Sequence, residues 1–161
     1  MKRRKPHTPF GQLNRMLARW PQFSFEVLDD GPMMVWRGRV RGFQKDYRIQ
    51  AQWSWMSKGT PPYVFILDPV IRPRAGEAFV DLPHLIYNDG APEKSALCLF
   101  DPDTGEWSDR RLIADTTIPW TSEWLHHYEL WHVTGVWSGP NAPGPISVGE
   151  MRRLEEPTDV T

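Results

Sequence analysis

The amino-acid sequence predicts an α+β fold: a four-stranded antiparallel meander flanked by helices. Three observations predict it. Apolar residues recur at helical spacing before Pro21, then with a period of two from Phe23 to Leu67. Short turn sequences separate the alternating segments, which suits antiparallel pairing. Helical spacing returns between Thr121 and Gly135.

The elements follow in order. Lys2, Arg3, Arg4 and Lys5 read as a solvated terminus. Thr8 offers an N-cap oxygen and Pro9 suits the first helical position, where no N–H is needed. Phe10, Leu13, Leu17 and Trp20 then form a stripe expected to face the core, and Pro21 closes the helix. Phe23, Phe25 and Val27 alternate before the turn Asp29-Asp30-Gly31-Pro32. Met34, Trp36 and Val40 share one face of the next strand, opposite Arg37, Arg39 and Arg41. Tyr47, Ile49, Ala51, Trp53 and Trp55 oppose Arg48, Gln50, Gln52 and Ser54, a half-buried strand with one wet face. The arginines at 37, 39, 41 and 48 read as that solvated face. Lys58-Gly59-Thr60-Pro61-Pro62 breaks the pattern, and Tyr63 to Leu67 forms the fourth strand.

From Arg72 to Leu97 neither period holds, and a loop of that length inside a compact domain is often functional. The second helix is expected to be capped by Thr121 or Ser122, with Glu123 in its first turn. Trp124, Leu125, Tyr128 and Trp131 form its apolar stripe, and Gly135 its left-handed stop. Residues 1–137 are read as the domain. Residues 138–161 are read as a Gly/Pro-rich tail in which Val148 to Leu154 can add a short helix.

Composition narrows the function. The 161 residues suit one domain, and 19 basic against 20 acidic residues leave a net charge of -1, which argues against a nucleic-acid binder. No apolar run is long enough for a membrane span, and the basic start leads into no secretory signal, so a cytoplasmic protein is expected. One cysteine excludes an internal disulfide and a multi-thiolate zinc site. His126, His127 and His132 lack the three- or four-residue spacing that puts ligands on one helix face, so no metal or cofactor is expected. The Asp101, Asp103 and Glu106 cluster reads as a solvated turn. A Ser-His-Asp hydrolase lacks its nucleophile elbow here.

Cys98 remains as the nucleophile candidate, delivered by the long loop between Leu97 and Leu99. His84, Tyr87 and Asn88 in that loop can supply hydrogen bonds to an acyl intermediate. The alternative is that Cys98 is a small buried hydrophobe.

This order of parts resembles the ubiquitin-conjugating enzymes. That family carries His-Pro-Asn, a Gly, then the catalytic Cys followed by Leu, and a Trp further on. The matching residues are Pro83-His84, Tyr87-Asn88-Asp89-Gly90, Cys98-Leu99 and Trp107, with YVFILDPVIRP from Tyr63 to Pro73 resembling the preceding strand and proline turn. Two departures stand out. Leu85 and Ile86 follow His84, so the family's oxyanion Asn is missing in register, with Asn88 the candidate substitute. Extra residues, Ala91 to Ser95, separate Gly90 from Cys98.

Those departures, with LPHLIYNDG, LCLF and PWTSEWLHHYELW, are similar to a bacterial branch encoded in antiphage operons of the CBASS type, beside a cyclic-oligonucleotide synthase (a CD-NTase). The resemblance implies a ubiquitin-conjugating-like core. It also implies a thioester between Cys98 and the synthase's C-terminal carboxyl group, with His84 mainly structural. Two other functions stay open. One is an inactive docking module that binds its partner non-covalently, which burial of Cys98 would favour. The other is a Cys-His hydrolase, which needs His84 within hydrogen-bond reach of the sulfur.

Overall fold

The computed structural model describes residues 4–28, 32–57, 59–101 and 104–139, with the backbone of 146–147. Lys2, Arg3, the turn residues 29–31, Lys58, Asp103 and the short helix expected over Val148 to Leu154 lie outside the described residues.

Helix α1 spans Pro9–Arg19 and starts as its sequence dictates. Thr8 Oγ1 accepts the Gly11 N–H at 3.0 Å, and Pro9 stands in the first turn. Its core face differs from the expected stripe. Met16 and Gln12 are buried and Leu13 and Trp20 pack partly, whereas Phe10 is 76% and Leu17 52% exposed. The reason is polar. Gln12 Nε2 donates to the Arg111 carbonyl and its Oε1 accepts from the Ile113 N–H, both at 2.9 Å. A fully bonded amide is tolerated in a core, so the helix turns this face inward. Trp20 Nε1 donates to the Ala114 carbonyl at 2.9 Å, and Arg15 and Arg19 hold Asp115 at 3.0 and 2.6 Å.

Strands β1 (Ser24–Leu28), β2 (Met33–Arg41), β3 (Asp46–Ser54) and β4 (Tyr63–Asp68) pair antiparallel in that spatial order, the expected meander. Alternation sends Met34, Trp36 and Val40, then Tyr47, Ile49, Ala51 and Trp53, then Val64 and Ile66 into the core. Each large apolar side chain buried this way contributes about 1.5–3 kcal/mol. Gly38 interrupts the apolar row of β2 because the Phe23 ring lies across it. A Cβ there would fall 2.3 Å from that ring. β1 is one edge strand of this sheet, and all five of its residues are exposed.

The stretch between Arg72 and Leu97 is less irregular than its sequence suggests. It holds 3-10 turns at Phe79–Asp81 and Pro92–Lys94 and two short strands, β5 (Leu85–Tyr87) and β6 (Ala96–Leu97), paired antiparallel. Two or three residues are too few for a period to register. Helix α2 (Thr117–Thr134) begins ahead of the caps expected at Thr121 or Ser122. Those two hydroxyls serve carbonyls instead: Thr121 Oγ1 donates to Thr117 O at 2.7 Å, and Ser122 Oγ donates to Arg41 O. Pro119 is accommodated because a first-turn residue needs no N–H. β7 (Ile146–Ser147) pairs parallel to the free edge of β5.

The buried stripe of α2 is the expected one, with Trp124, Leu125, Tyr128 and Trp131 packed into the core. Glu129 pins the helix to the sheet. Its carboxylate accepts from Gln44 N (2.6 Å), Lys45 N (3.2 Å) and Tyr47 Oη (2.9 Å). Tyr128 Oη accepts the Arg72 N–H at 2.9 Å, which ties the start of the long loop to the same helix. Gly135 ends α2 at φ +76°. No helix among the described residues is long and apolar enough to cross a membrane.

Candidate active site

The long loop returns to the domain at β6, and Cys98 is the next residue. Its backbone N–H donates to the His84 carbonyl at 2.9 Å, and that carbonyl also accepts Trp124 Nε1 at 3.0 Å. The middle of the loop is thereby clamped to its exit and to α2. His84 achieves this with φ +55°, a left-handed conformation uncommon outside glycine.

Cys98 is 7% exposed, against the open loop-exit position expected of it. It packs with Ile86 and Ala96, with Tyr63 and Phe65 beside them, rather than with Trp107. The sulfur is Cys98's donor to the Phe100 carbonyl at 3.5 Å. Burial pushes the thiol up from 9.0 to about 11; a backbone hydrogen bond with Phe100 opposes this and the Asp101 carboxylate adds to it.

Two hollows meet at the cysteine. A groove of about 410 Å³ is lined by His84, Asp101, Glu106, Trp120, Glu123, Trp124, His127 and Trp137 as well as Cys98. The second is a small apolar space of about 10 Å³, walled by Pro61, Pro62, Tyr63, Leu97 and Phe100.

The structure therefore brings Cys98 and His84 together, but through the histidine's backbone. Its ring lies against Trp137, with centroids 4.9 Å apart, and burial, then His127, lowers its pKa, which keeps it neutral at pH 7. The sulfur bonds Phe100, so the condition set for a Cys-His hydrolase is not met in this conformation. Asn88 stands apart from both hollows. Its Oδ1 accepts the N–H groups of Gly90 (3.1 Å) and Ala91 (3.2 Å), and its own N–H donates to Ser95 Oγ (3.0 Å), so its amide oxygen shapes the inserted turn.

Sequence reasoning missed several groove residues. Asp101 and Glu106, expected in a solvated turn, are groove walls. Glu123 and His127 stand four apart on α2, a spacing that puts both on one side, and Glu123 Oε1 lies 4.0 Å from His127 Nε2. The other helix histidines turn elsewhere: His126 Nδ1 lies 2.6 Å from Ser122 O, and His132 Nε2 2.9 Å from Arg72 O. Among the described residues, no three His, Cys, Asp or Glu side chains converge as metal ligands do.

A meander with α2 against it, whose following loop delivers a cysteine, is the layout of a conjugating-enzyme-like protein. The chain belongs to the family described as Type II CBASS E2 protein, whose model matches residues 12–145. The resemblance carried by residues 83 to 107 and by α2 thus identified the family correctly, and membership supports a conjugating-like role in CBASS. No curated protein matches the chain.

Proposed function

We propose that Cys98 accepts the C-terminal carboxyl group of a protein partner, the cyclic-oligonucleotide synthase of a CBASS antiphage system, as a thioester. The observation that carries this reading is the position of the cysteine. The chain's one thiol stands where two hollows meet, its backbone fixed by His84 and its family that of conjugating-like proteins. In the step itself, the bond between Sγ and the acyl carbon forms as the bond from that carbon to its leaving group breaks. The donor is an activated carboxyl of the anhydride class, and the thiol proton passes by way of a base in the groove to the displaced group. No metal or cofactor enters, and the partner is a protein, not nucleic acid or membrane.

The raised thiol pKa sets the main demand on this chemistry. With a pKa of about 11, on the order of one thiol in ten thousand is ionised at pH 7. The proton is therefore taken as the donor docks, and the groove offers acceptors in neutral His84 and the carboxylates of Asp101, Glu106 and Glu123. Backbone N–H groups around Cys98 serve the developing oxyanion, a role for which Asn88 is poorly placed. Residues 1–137 form the conjugating-like domain, 138–161 its tail, and the protein works in the cytoplasm.

The 7% exposure of Cys98 favours a second reading, a docking module that holds its partner without a covalent bond. Replacement of the cysteine separates the two. Under the thioester reading, Cys98→Ala abolishes a hydroxylamine-sensitive adduct while leaving the fold intact, and Cys98→Ser gives a more stable oxyester. Wild-type adduct yield in Cys98→Ala removes Cys98 as acceptor. Tight binding without adduct in every variant establishes the docking module.

A further inference from the structure

The segment leaving α2 folds back over the helix it has just left. Gly135 reverses the chain in its left-handed conformation, and its N–H donates to Trp131 O at 2.8 Å. The next residue, Val136, is exposed, and Trp137 then turns inward. Its ring centroid lies 4.9 Å from His84, 5.2 Å from Trp124 and 5.9 Å from His127. Ser138 Oγ bonds His127 Nδ1 at 3.2 Å and holds the reversal in place. Gly139 completes it, since a Cβ there would stand 2.7 Å from Trp137 Nε1.

Trp137 is only half-buried, so this placement is not simply core filling. The indole is a wall of the groove that contains Cys98 and packs against the edge of the core, carried there by the short segment that follows α2. The much smaller second space at Cys98 is lined by Pro61, Pro62 and Tyr63. A group seated in that groove meets the indole as well as Cys98.

We propose that Trp137 is the size gate of the Cys98 site: it admits a narrow, extended chain end ending in a small residue and rejects a bulky one. Its value to the reaction rests on the thioester reading above, because the same wall keeps water from an acyl group on the sulfur. The gate itself is tested without any acyl chemistry, so the two ideas fail separately.

Because the chain has one cysteine, maleimide labelling of the full-length protein reads Cys98 alone. The rates for N-ethylmaleimide and N-pyrenylmaleimide are measured, and their ratio is divided by the same ratio for glutathione. For wild type this normalised ratio should favour the small reagent by about tenfold, the scale of steric discrimination in a fitted pocket. Trp137→Ala should bring it to within about twofold of unity, and Trp137→Phe should restore most of the discrimination. Gly139→Ala, which displaces the indole without removing it, should also lower the ratio. Labelling in the variants should stay unchanged in low, non-denaturing urea, because access is local and not by unfolding. A wild-type ratio near unity overturns the proposal, as does a ratio unmoved by both Trp137→Ala and Gly139→Ala. A ratio that falls only with urea-accelerated labelling shows that Trp137 merely holds the fold, and overturns it equally.

Discussion

The carbonyl of His84 accepts the Cys98 amide at 2.9 Å from a backbone held at φ +55°. A left-handed β-carbon costs energy that glycine avoids, so the clamp on the cysteine has a cost in strain. Both His84→Ala and His84→Gly lose the ring contact with Trp137, and they differ mainly in this backbone term. The alanine variant should be about 1 kcal/mol less stable than the glycine variant in urea denaturation. Equal stability would show that the conformation at position 84 carries no strain.

The outer face of the sheet contains an opposed pair of like charges. Arg39 and Arg48 are direct cross-strand partners and both exposed, while their neighbours are matched: Arg37 Nε donates to Gln50 Oε1 at 2.8 Å and Arg41 pairs with Asp46 at 3.3 Å. Asp68 is the register partner of Arg48 on β4 but makes no ion pair with it within 4.0 Å. Arg39→Glu should therefore stabilise the protein by about 0.5–1 kcal/mol at low salt, with the gain shrinking as salt rises. Thermal melts at two ionic strengths check both halves of the expectation.

Acid should loosen the contact between α1 and the segment before α2. Partial burial raises the Asp115 pKa, but the bonds from Arg19 and Arg15 outweigh it and leave the carboxyl below its ordinary 3.8. A lowered folded-state pKa gives a contribution fully present above about pH 4 and lost as pH falls through the folded value. Asp115→Asn should cost about 0.2–1 kcal/mol at pH 7, as expected of exposed ion pairs. The difference from wild type should fade as pH falls below the carboxyl's ordinary 3.8 and through its lowered folded-state value in a pH series of denaturation curves. A difference constant down to pH 2 would show that charge is not what Asp115 contributes.

The meander was legible because β2 to β4 each bury one face, so a period of two marks them directly. Met34, Trp36 and Val40 facing away from Arg39 and Arg41 is that signal. The face of α1 was not legible, because Gln12 reads as polar until its two partners, Arg111 and Ile113, are brought to it across the fold. The start of α2 was hidden by Pro119, which resembles a boundary but is harmless in a first turn. Cys98 and His84 were singled out from their place in the loop, and the structure joins them through the His84 carbonyl. Trp137 was not, since its position depends on the reversal at Gly135 and on the space left by Gly139.

The central claim is that Cys98 accepts an acyl group from a partner's C-terminus, and intact mass spectrometry tests it most directly. The protein is co-expressed with the cyclic-oligonucleotide synthase proposed as its partner and weighed with and without hydroxylamine. The expected species has the summed mass of the two chains less one water, disappears in hydroxylamine, and is absent with Cys98→Ala or with the synthase's last residue deleted. A stable non-covalent complex with no such species under any condition would contradict the claim and leave the docking module in its place.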